Sequence, residues 1–158
     1  MNSDIPVEYN KFLDRYRDVI DKRDFIYPDF IDYYGTPVWI KLLSDLYKLG
    51  VNPLDNLTRI PKKFFYGVHP LYGIEIPFGV KEIGDLAFAD CTNLTSVMLP
   101  NSLEEVRASA FANCINLNQI HYFGTKEQWY KIRFSKYWVW SIPKGQIKVE
   151  CFDGEIVL

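Results

Sequence analysis

The sequence contains one stretch of 23 residues that is followed directly by a second copy of itself. Residues 74 to 96 are IEIPFGVKEIGDLAFADCTNLTS, and residues 97 to 119 are VMLPNSLEEVRASAFANCINLNQ. Eight of the 23 positions are identical, and four more exchange one aliphatic residue for another. Self-similarity with a period of about 20 to 50 residues is typical of solenoids, in which each turn buries its apolar side against its neighbours. The sequence therefore predicts a repeat fold with one short parallel strand per turn.

Each copy has a proline near its start and an Ala-Phe-x-x-Cys step later in the turn. Pro77 falls on Pro100, and Cys91 falls on Cys114. Together with an -IP-x-x-V-x-x-I- line, this pattern resembles the BspA-like class of bacterial leucine-rich repeats over about residues 60 to 124. The resemblance implies a leucine-rich-repeat solenoid in which both cysteines are buried.

The period also continues backwards, which predicts a degenerate turn at residues 51 to 73. Forwards, no Ala-Phe-x-x-Cys step follows residue 119, so the repeats are predicted to end at residue 124. The aligned pairs of the degenerate turn are Leu57 with Val80, Ile60 with Ile83, Phe65 with Phe88, Val68 with Cys91 and Leu71 with Leu94.

Both ends of the array are predicted to be capped, because an open repeat end exposes apolar side chains and a strand edge. Residues 4 to 23 and 36 to 50 have helical apolar spacing, which indicates an N-terminal helical cap at 1–50. The alternative is that this segment is a separate binding domain. At the other end, Thr125 and Gln128 have the spacing of a helix capping box. Residues 147 to 158 read as a hairpin with Asp153-Gly154 at its turn.

The predicted fold class is therefore α+β: a short leucine-rich-repeat parallel sheet with an N-terminal helical cap and a C-terminal cap of one helix and a β-hairpin. The predicted parts form one structural domain. They are the N-terminal cap at 1–50, the repeats at 51–124 (51–73, 74–96, 97–119 and the start of the next) and the C-terminal cap at 125–158.

Strands are expected at 72 to 76, 95 to 99 and 118 to 122. Period-two alternation points Ile74, Val97 and Ile120 inward, so the residues beside them point outward. Leucine-rich repeats commonly bind partners through this face. The predicted contact residues of the sheet face are Tyr72, Glu75, Met98, Gln119 and His121.

A second candidate surface is the aromatic and basic segment 126–148, which holds six bases and one acid. Aromatic rings between bases can stack on unpaired nucleobases while the bases neutralise phosphate. Alternatively, Trp129 and at least one of the later tryptophans pack as a cap, and the lysines keep its surface solvated. The predicted contact residues of this C-terminal rim are Lys131, Arg133, Tyr137, Trp138 and Trp140.

The sequence predicts no active site, no metal and no cofactor. Its three cysteines have no zinc spacing relative to each other or to the two histidines, and its net charge of −2 gives no general argument for nucleic acid or for an acidic membrane. The first residues lack the pattern of a signal peptide, and no run of about 18 apolar residues could span a membrane. We therefore expect a cytoplasmic protein with reduced thiols.

These observations predict a non-enzymatic module that binds another protein. BspA-like repeats occur in exported adhesins and also in short unexported proteins of bacteria and their phages. The resemblance thus implies an accessory protein that binds and modulates a host protein, such as a defence enzyme. The alternative is nucleic-acid binding through 126–148. Neither the partner's identity nor the oligomeric state follows from the sequence.

Overall fold

A computed structural model describes residue 54 and residues 57–69 and 71–158. The chain divides between Asp55 and Asn56, and the fold below is that of the second unit, Asn56–Leu158. The N-terminal helical cap at 1–50 lies outside the described residues. That cap, and the joining of caps and repeats into one domain, therefore stay predictions.

The unit is built from short strands and one short helix, and the strands form two sheets. Along the chain the elements are β1 (Arg59–Ile60), β2 (Gly73–Glu75), β3 (Glu82–Ile83), β4 (Ser96–Pro100), β5 (Glu105–Val106), β6 (Gln119–Phe123), α1 (Lys126–Trp129), β7 (Arg133–Phe134), β8 (Lys148–Cys151) and β9 (Gly154–Val157). The larger sheet has the order β2-β4-β6-β8-β9 and the smaller one the order β1-β3-β5-β7.

The larger sheet is parallel from β2 to β8, as the repeat predicts. Ile74 pairs with Val97, and Val97 pairs with Ile120, so successive strands lie in register one 23-residue period apart. Ile120 then pairs with Val149. All four side chains are buried, which confirms the predicted inward face and fixes the outward one.

The smaller parallel sheet was not predicted. Its strands hold only two residues each, with Ile60 beside Ile83 and Ile83 beside Val106. A two-residue strand is too short to show period-two alternation, so the sequence indicated one strand per turn where the structure has two. Ile60 pairs with Ile83 one 23-residue period later, which is the spacing that predicts the degenerate turn, and residues 51–53 of that turn lie outside the described residues.

The core between the sheets contains a column of phenylalanines. The rings of Phe65, Phe88 and Phe111 are stacked with centroids 5.0 and 4.9 Å apart and interplanar angles of 7° and 3°. The Cys91 thiol donates to the Phe65 carbonyl oxygen at 3.0 Å, and the Cys114 thiol donates to that of Phe88 at the same distance. The predicted burial of both cysteines is confirmed.

One further turn lies inside the segment predicted as the C-terminal cap. Positive φ angles occur at Ser109 and Asn113 and again at Tyr137 and Ser141. The Phe111 amide N–H donates to the Trp138 carbonyl at 2.8 Å, as the Phe88 N–H does to that of Ala110. The repeat backbone therefore does not end at residue 124. Its last turn was hidden because the step from Ser109 to Tyr137 is 28 residues, not 23, and because Ala-Phe-Ala has become Trp-Val-Trp.

The helix α1 begins at the predicted capping box. The Gln128 N–H donates to Thr125 Oγ1 at 3.3 Å, and the Thr125 N–H donates to Gln128 Oε1 at 2.9 Å. The helix places Trp129 in the core, with its ring 5.4 Å from Tyr122 and 4.9 Å from Phe134. The expected packing of Trp129 against the last turn is confirmed.

The C-terminal hairpin extends the large sheet, but its turn lies one residue earlier than predicted. Cys151 pairs with Gly154, so the turn residues are Phe152 and Asp153. Both turn residues are held by the segment at the start of α1: Asp153 Oδ1 accepts from the Lys126 N–H at 2.8 Å, and the Phe152 N–H donates to the Gly124 carbonyl at 2.9 Å.

Replacing Phe88 by alanine should lower the free energy of unfolding by about 3–5 kcal/mol, because the ring is fully buried in the middle of the stack. Phe78 is the matched control: it is 80% exposed, and Phe78→Ala should change stability by less than about 0.5 kcal/mol. Chemical denaturation of both variants measures the difference. Equal losses would contradict the stacked core.

Candidate functional site

The outward column of the large sheet consists of Glu75, Met98, His121 and Glu150. Neighbouring members are paired across the strands β2, β4, β6 and β8. Met98 is 38% exposed, and His121 is half-buried. Glu75 is exposed but already takes part in an interaction within the chain. The structure thus brings together three of the five predicted sheet-face residues in one line.

Glu150 joins this column although the sequence analysis did not identify it. Its Oε2 lies 2.8 Å from His121 Nδ1, and its Oε1 accepts from Gln119 Nε2 at 2.8 Å. One carboxylate therefore holds two of the predicted contact residues in place. Alternation along 147–152 gave a signal for an outward Glu150. The sequence did not show that Glu150 lies beside His121, because the step from Gln119 to Lys148 is 29 residues instead of 23.

Aromatic side chains border the column. Tyr72, directly before β2, is exposed, as predicted for a contact residue. Phe123, at the end of β6, and Phe152, in the hairpin turn, are exposed as well. The sheet face thus combines a preformed polar cluster with exposed apolar surface, which is the usual composition of a binding surface for a protein.

The predicted C-terminal rim is divided by the structure into packed and exposed parts. The Trp138 ring lies 4.5 Å from Phe134 and 6.1 Å from Phe111, so it closes the end of the phenylalanine column. Tyr137 and Trp140 are 58% and 57% exposed. Among the aromatic rim residues, a contact role fits these two, and Trp138 has mainly a packing role.

Half of the bases in 126–148 are already neutralised by glutamates. Lys131 Nζ lies 2.7 Å from Glu127, Arg133 Nη2 lies 3.0 Å from Glu105, and Lys148 Nζ lies 3.7 Å from Glu155. Arg133 and Lys148 take their partners from outside the segment, which a count along the sequence could not show. Nucleic-acid binding stays a prediction with weaker electrostatic support.

A surface depression of about 260 Å³ lies beside this segment. Its charged lining residues are in ion pairs: Glu104 with Lys81 at 3.1 Å, and Lys131 and Arg133 with the glutamates named above. The depression therefore offers a ligand little free charge. The lining residues are Asn101, Leu103, Glu104, Tyr122, Gln128, Lys131, Ile132 and Arg133.

The cysteine environments oppose nucleophilic chemistry. The neighbouring Cys114 thiol and burial both raise the pKa of Cys91, and burial and Asp153 raise the pKa of Cys151. A raised pKa keeps a thiol protonated at neutral pH, and the protonated form is a poor nucleophile.

Within the described residues no group of three or more His, Cys, Asp or Glu side chains could hold a metal ion. No helix in the same part of the chain is long and apolar enough to cross a membrane.

Alkylation of the native protein should therefore be selective. Cys91 and Cys114 are fully buried and should react only after unfolding, whereas the half-buried Cys151 should react in the folded state, more slowly than a free thiol. Mass spectrometry of iodoacetamide-treated protein, with and without denaturant, measures this order. Rapid native labelling of Cys91 or Cys114 would contradict the burial.

Comparison with known proteins gives one family and two solved structures. The family model described as "BspA type Leucine rich repeat region (6 copies)" matches residues 51–153, well past the repeat end predicted at 124. No curated protein matches the chain.

Both structures are of larger bacterial proteins. A leucine rich cell surface protein from Faecalibacterium prausnitzii A2-165 is 41% identical over 48% of this chain and 20% of its own, with a TM-score of 0.47. The Treponema pallidum leucine rich repeat protein is 33% identical over 44% of this chain and 37% of its own, with a TM-score of 0.40. The chain therefore spans well under half the length of either.

Proposed function

Because the chain belongs to the BspA-type leucine-rich repeat family, we propose that it is a non-enzymatic module that binds another protein through the outward face of its large sheet. The family suggests protein–protein interaction in general. The observation that supports this particular face is the clamp by which Glu150 holds His121 and Gln119 beside the exposed Met98.

The clamp favours binding because it fixes side chains before a partner arrives. A glutamine and a histidine on an open surface would otherwise lose side-chain rotamer freedom on binding, at about 0.5–1.5 kcal/mol for each immobilised side chain. Here the hydrogen bond from Gln119 and the close contact of His121, both to the Glu150 carboxylate, already restrict the two side chains. The strands beneath are in register and their inward side chains are fully buried, so the face keeps its shape when a partner docks.

Substitution of the column should weaken binding without unfolding the protein. We expect Met98→Asp combined with His121→Ala to weaken binding to the physiological partner by at least roughly tenfold, since it places a charge in the apolar part of the face and removes one arm of the clamp. Affinity purification from the native host with the wild-type chain, followed by titration of the recovered partner, measures this. Lys62→Asp, at an exposed residue outside the large sheet, serves as the control.

Unchanged affinity of the double variant for every stoichiometric partner would rule out the sheet face. If the control lost binding equally, the effect would come from net charge and not from the column. Thermal unfolding of each variant separates loss of binding from loss of fold.

The finer proposal is that the protein is a cytoplasmic accessory protein of a bacterium or phage that binds and modulates a host protein, such as a defence enzyme. It rests on the resemblance to short unexported members of the class, and it is supported by three free cysteines, two of them buried. Cell fractionation tests the location, and activity of the purified partner with and without the chain tests modulation. Recovery at the cell surface would overturn this finer proposal and leave the binding face intact.

A further inference from the structure

The strand β9 forms one edge of the large sheet, and the outer side of this strand is open. In the order β2-β4-β6-β8-β9, β9 pairs only with β8, in an antiparallel ladder that sets Val149 opposite Ile156. Val157 is 57% exposed, and Glu155 is exposed as well. The edge is therefore accessible to another strand.

The hydrogen-bond pattern of the hairpin shows which backbone groups of β9 point outward. In an antiparallel ladder, opposite residues alternate between pairs that exchange two hydrogen bonds and pairs that exchange none. The Leu158 N–H donates to the Ile147 carbonyl at 2.9 Å, so the bonds to β8 fall on Leu158 and, two residues earlier, on Ile156. The N–H and C=O groups of Glu155 and Val157 therefore point away from β8. Within the described residues β9 has no second neighbouring strand that could pair with them.

These outward groups are arranged symmetrically about Ile156, which makes the edge complementary to itself. In a two-fold antiparallel pairing centred on Ile156, Glu155 of one copy lies opposite Val157 of the second copy. Each such pair exchanges two hydrogen bonds, so every outward N–H and C=O of both residues has a partner. Centring the pairing on Glu155 instead would set two like charges directly opposite each other, which is destabilising.

The buried apolar row of the large sheet is left incomplete at the same residue. Ile74, Val97, Ile120 and Val149 are paired across successive strands and are at most 6% exposed. Ile156 continues this row beside Val149 but is only half-buried. In a pair without hydrogen bonds the opposite Cα atoms are about 4.5 Å apart, closer than in a hydrogen-bonded pair. Two Ile156 side chains at the centre of the pairing therefore cover each other.

The charges beside the edge are also complementary between two copies. A charged residue on an edge strand commonly prevents strand pairing, but here Lys148 Nζ lies 3.7 Å from Glu155 Oε1. Lys148 is opposite Val157, so the two-fold pairing places Lys148, Val157 and the second copy's Glu155 in one row. The Cα atoms of that lysine and that glutamate are two strand spacings apart, about 10 Å, which the two long side chains can span above the valine. The pairing therefore brings opposite charges together twice, once on each side of the axis.

From the open backbone groups, the half-buried isoleucine and the charges, we propose that the chain forms a two-fold dimer through β9, with a second copy of itself as the partner. The two large sheets then form one continuous sheet. Both outward faces lie on the same side of it, because the two-fold axis is perpendicular to the sheet. Contacts of small area are weak and transient, so the dimer depends on the concentration of the chain.

Dimerisation uses the edge of the sheet and not its outward face, so it goes beyond the proposed function and does not depend on it. An extended segment of another protein is the alternative occupant, since addition of a strand to an open edge is a recurring mode of recognition. Such a segment would have to supply an apolar residue opposite Ile156 and a base within reach of Glu155. A second copy of β9, with Lys148 beside it, supplies both.

Sedimentation equilibrium of the full chain over a concentration series up to millimolar measures the dimer. The amide NMR signals of Glu155 and Val157 should shift over the same series. Val157→Pro should weaken dimerisation by at least roughly tenfold, because proline removes an outward N–H that makes no bond to β8. Val157→Thr is the matched control: it keeps the N–H and a β-branched side chain, so it should dimerise like the wild type. Thermal unfolding of both variants checks that the fold is kept.

Disulfide cross-linking tests the register independently. In a Cys151→Ser background, which leaves only the buried Cys91 and Cys114, Ile156→Cys should form a disulfide-linked dimer on mild oxidation. Residue 156 faces itself across the axis, at a Cα separation that a disulfide can span. Val157→Cys in the same background should not cross-link, although this position is the more exposed one. Its two copies are offset along the strands and lie about 8–9 Å apart, beyond the reach of a disulfide.

Three results would overturn the dimer: a chain that stays monomeric at millimolar concentration, equal dimerisation of Val157→Pro and the wild type, and cross-linking of Val157→Cys as readily as Ile156→Cys. Should Val157→Pro unfold, the cross-linking comparison decides alone. A monomeric chain with a partner whose binding is lost in Val157→Pro but not in Val157→Thr would assign the edge to a strand of another protein. The Met98→Asp, His121→Ala variant should dimerise normally, so failure of the sheet-face proposal and failure of this one are distinguishable.

Discussion

The hydrogen-bond ladder between successive turns is the constraint on which the rest of the structure depends. It sets neighbouring backbones about 4.7–4.9 Å apart, which is also the spacing at which flat rings stack. Equivalent phenylalanines of consecutive turns therefore fall on one another at 4.9 and 5.0 Å. The same ladder holds non-glycine residues such as Leu86 and Ser109 at positive φ, a conformation that costs free energy for residues with a side chain. In the turns that contain Phe65, Phe88 and Phe111, hydrogen bonds and ring stacking together offset that cost.

The ladder also explains why the candidate surfaces lie where they do. The register between strands places Met98 beside His121 and His121 beside Glu150. One residue from each turn therefore contributes to a continuous line on the sheet face. At the end of the array the hairpin completes the large sheet, and the donors that would reach another strand remain on Glu155 and Val157. The line on the sheet face results from the repetition of turns, and the open donors result from the end of that repetition.

Repetition decided how much could be predicted. Exact periodicity identified the degenerate first turn, the inward faces of the strands and the buried cysteines, because equal spacing places equivalent residues in one column. The capping box at Thr125 was also visible, since it depends on residues three apart. The small sheet escaped notice because its strands are two residues long. The last turn was not predicted because extra residues around α1 lengthen the step from Ser109 to Tyr137 beyond 23 residues.

The sequence by itself determined a leucine-rich solenoid with an outward line through Glu75, Met98 and His121, because a period of 23 and strand alternation leave few other ways to bury the apolar residues. Only the tertiary structure decided that Glu150 belongs to that line, that Arg133 is neutralised by Glu105, and that Trp138 packs while Trp140 is exposed. These facts depend on which residues meet across turns of unequal length. Spacing along the chain specifies such meetings only while the period holds, and beyond residue 124 the folded backbone determines them.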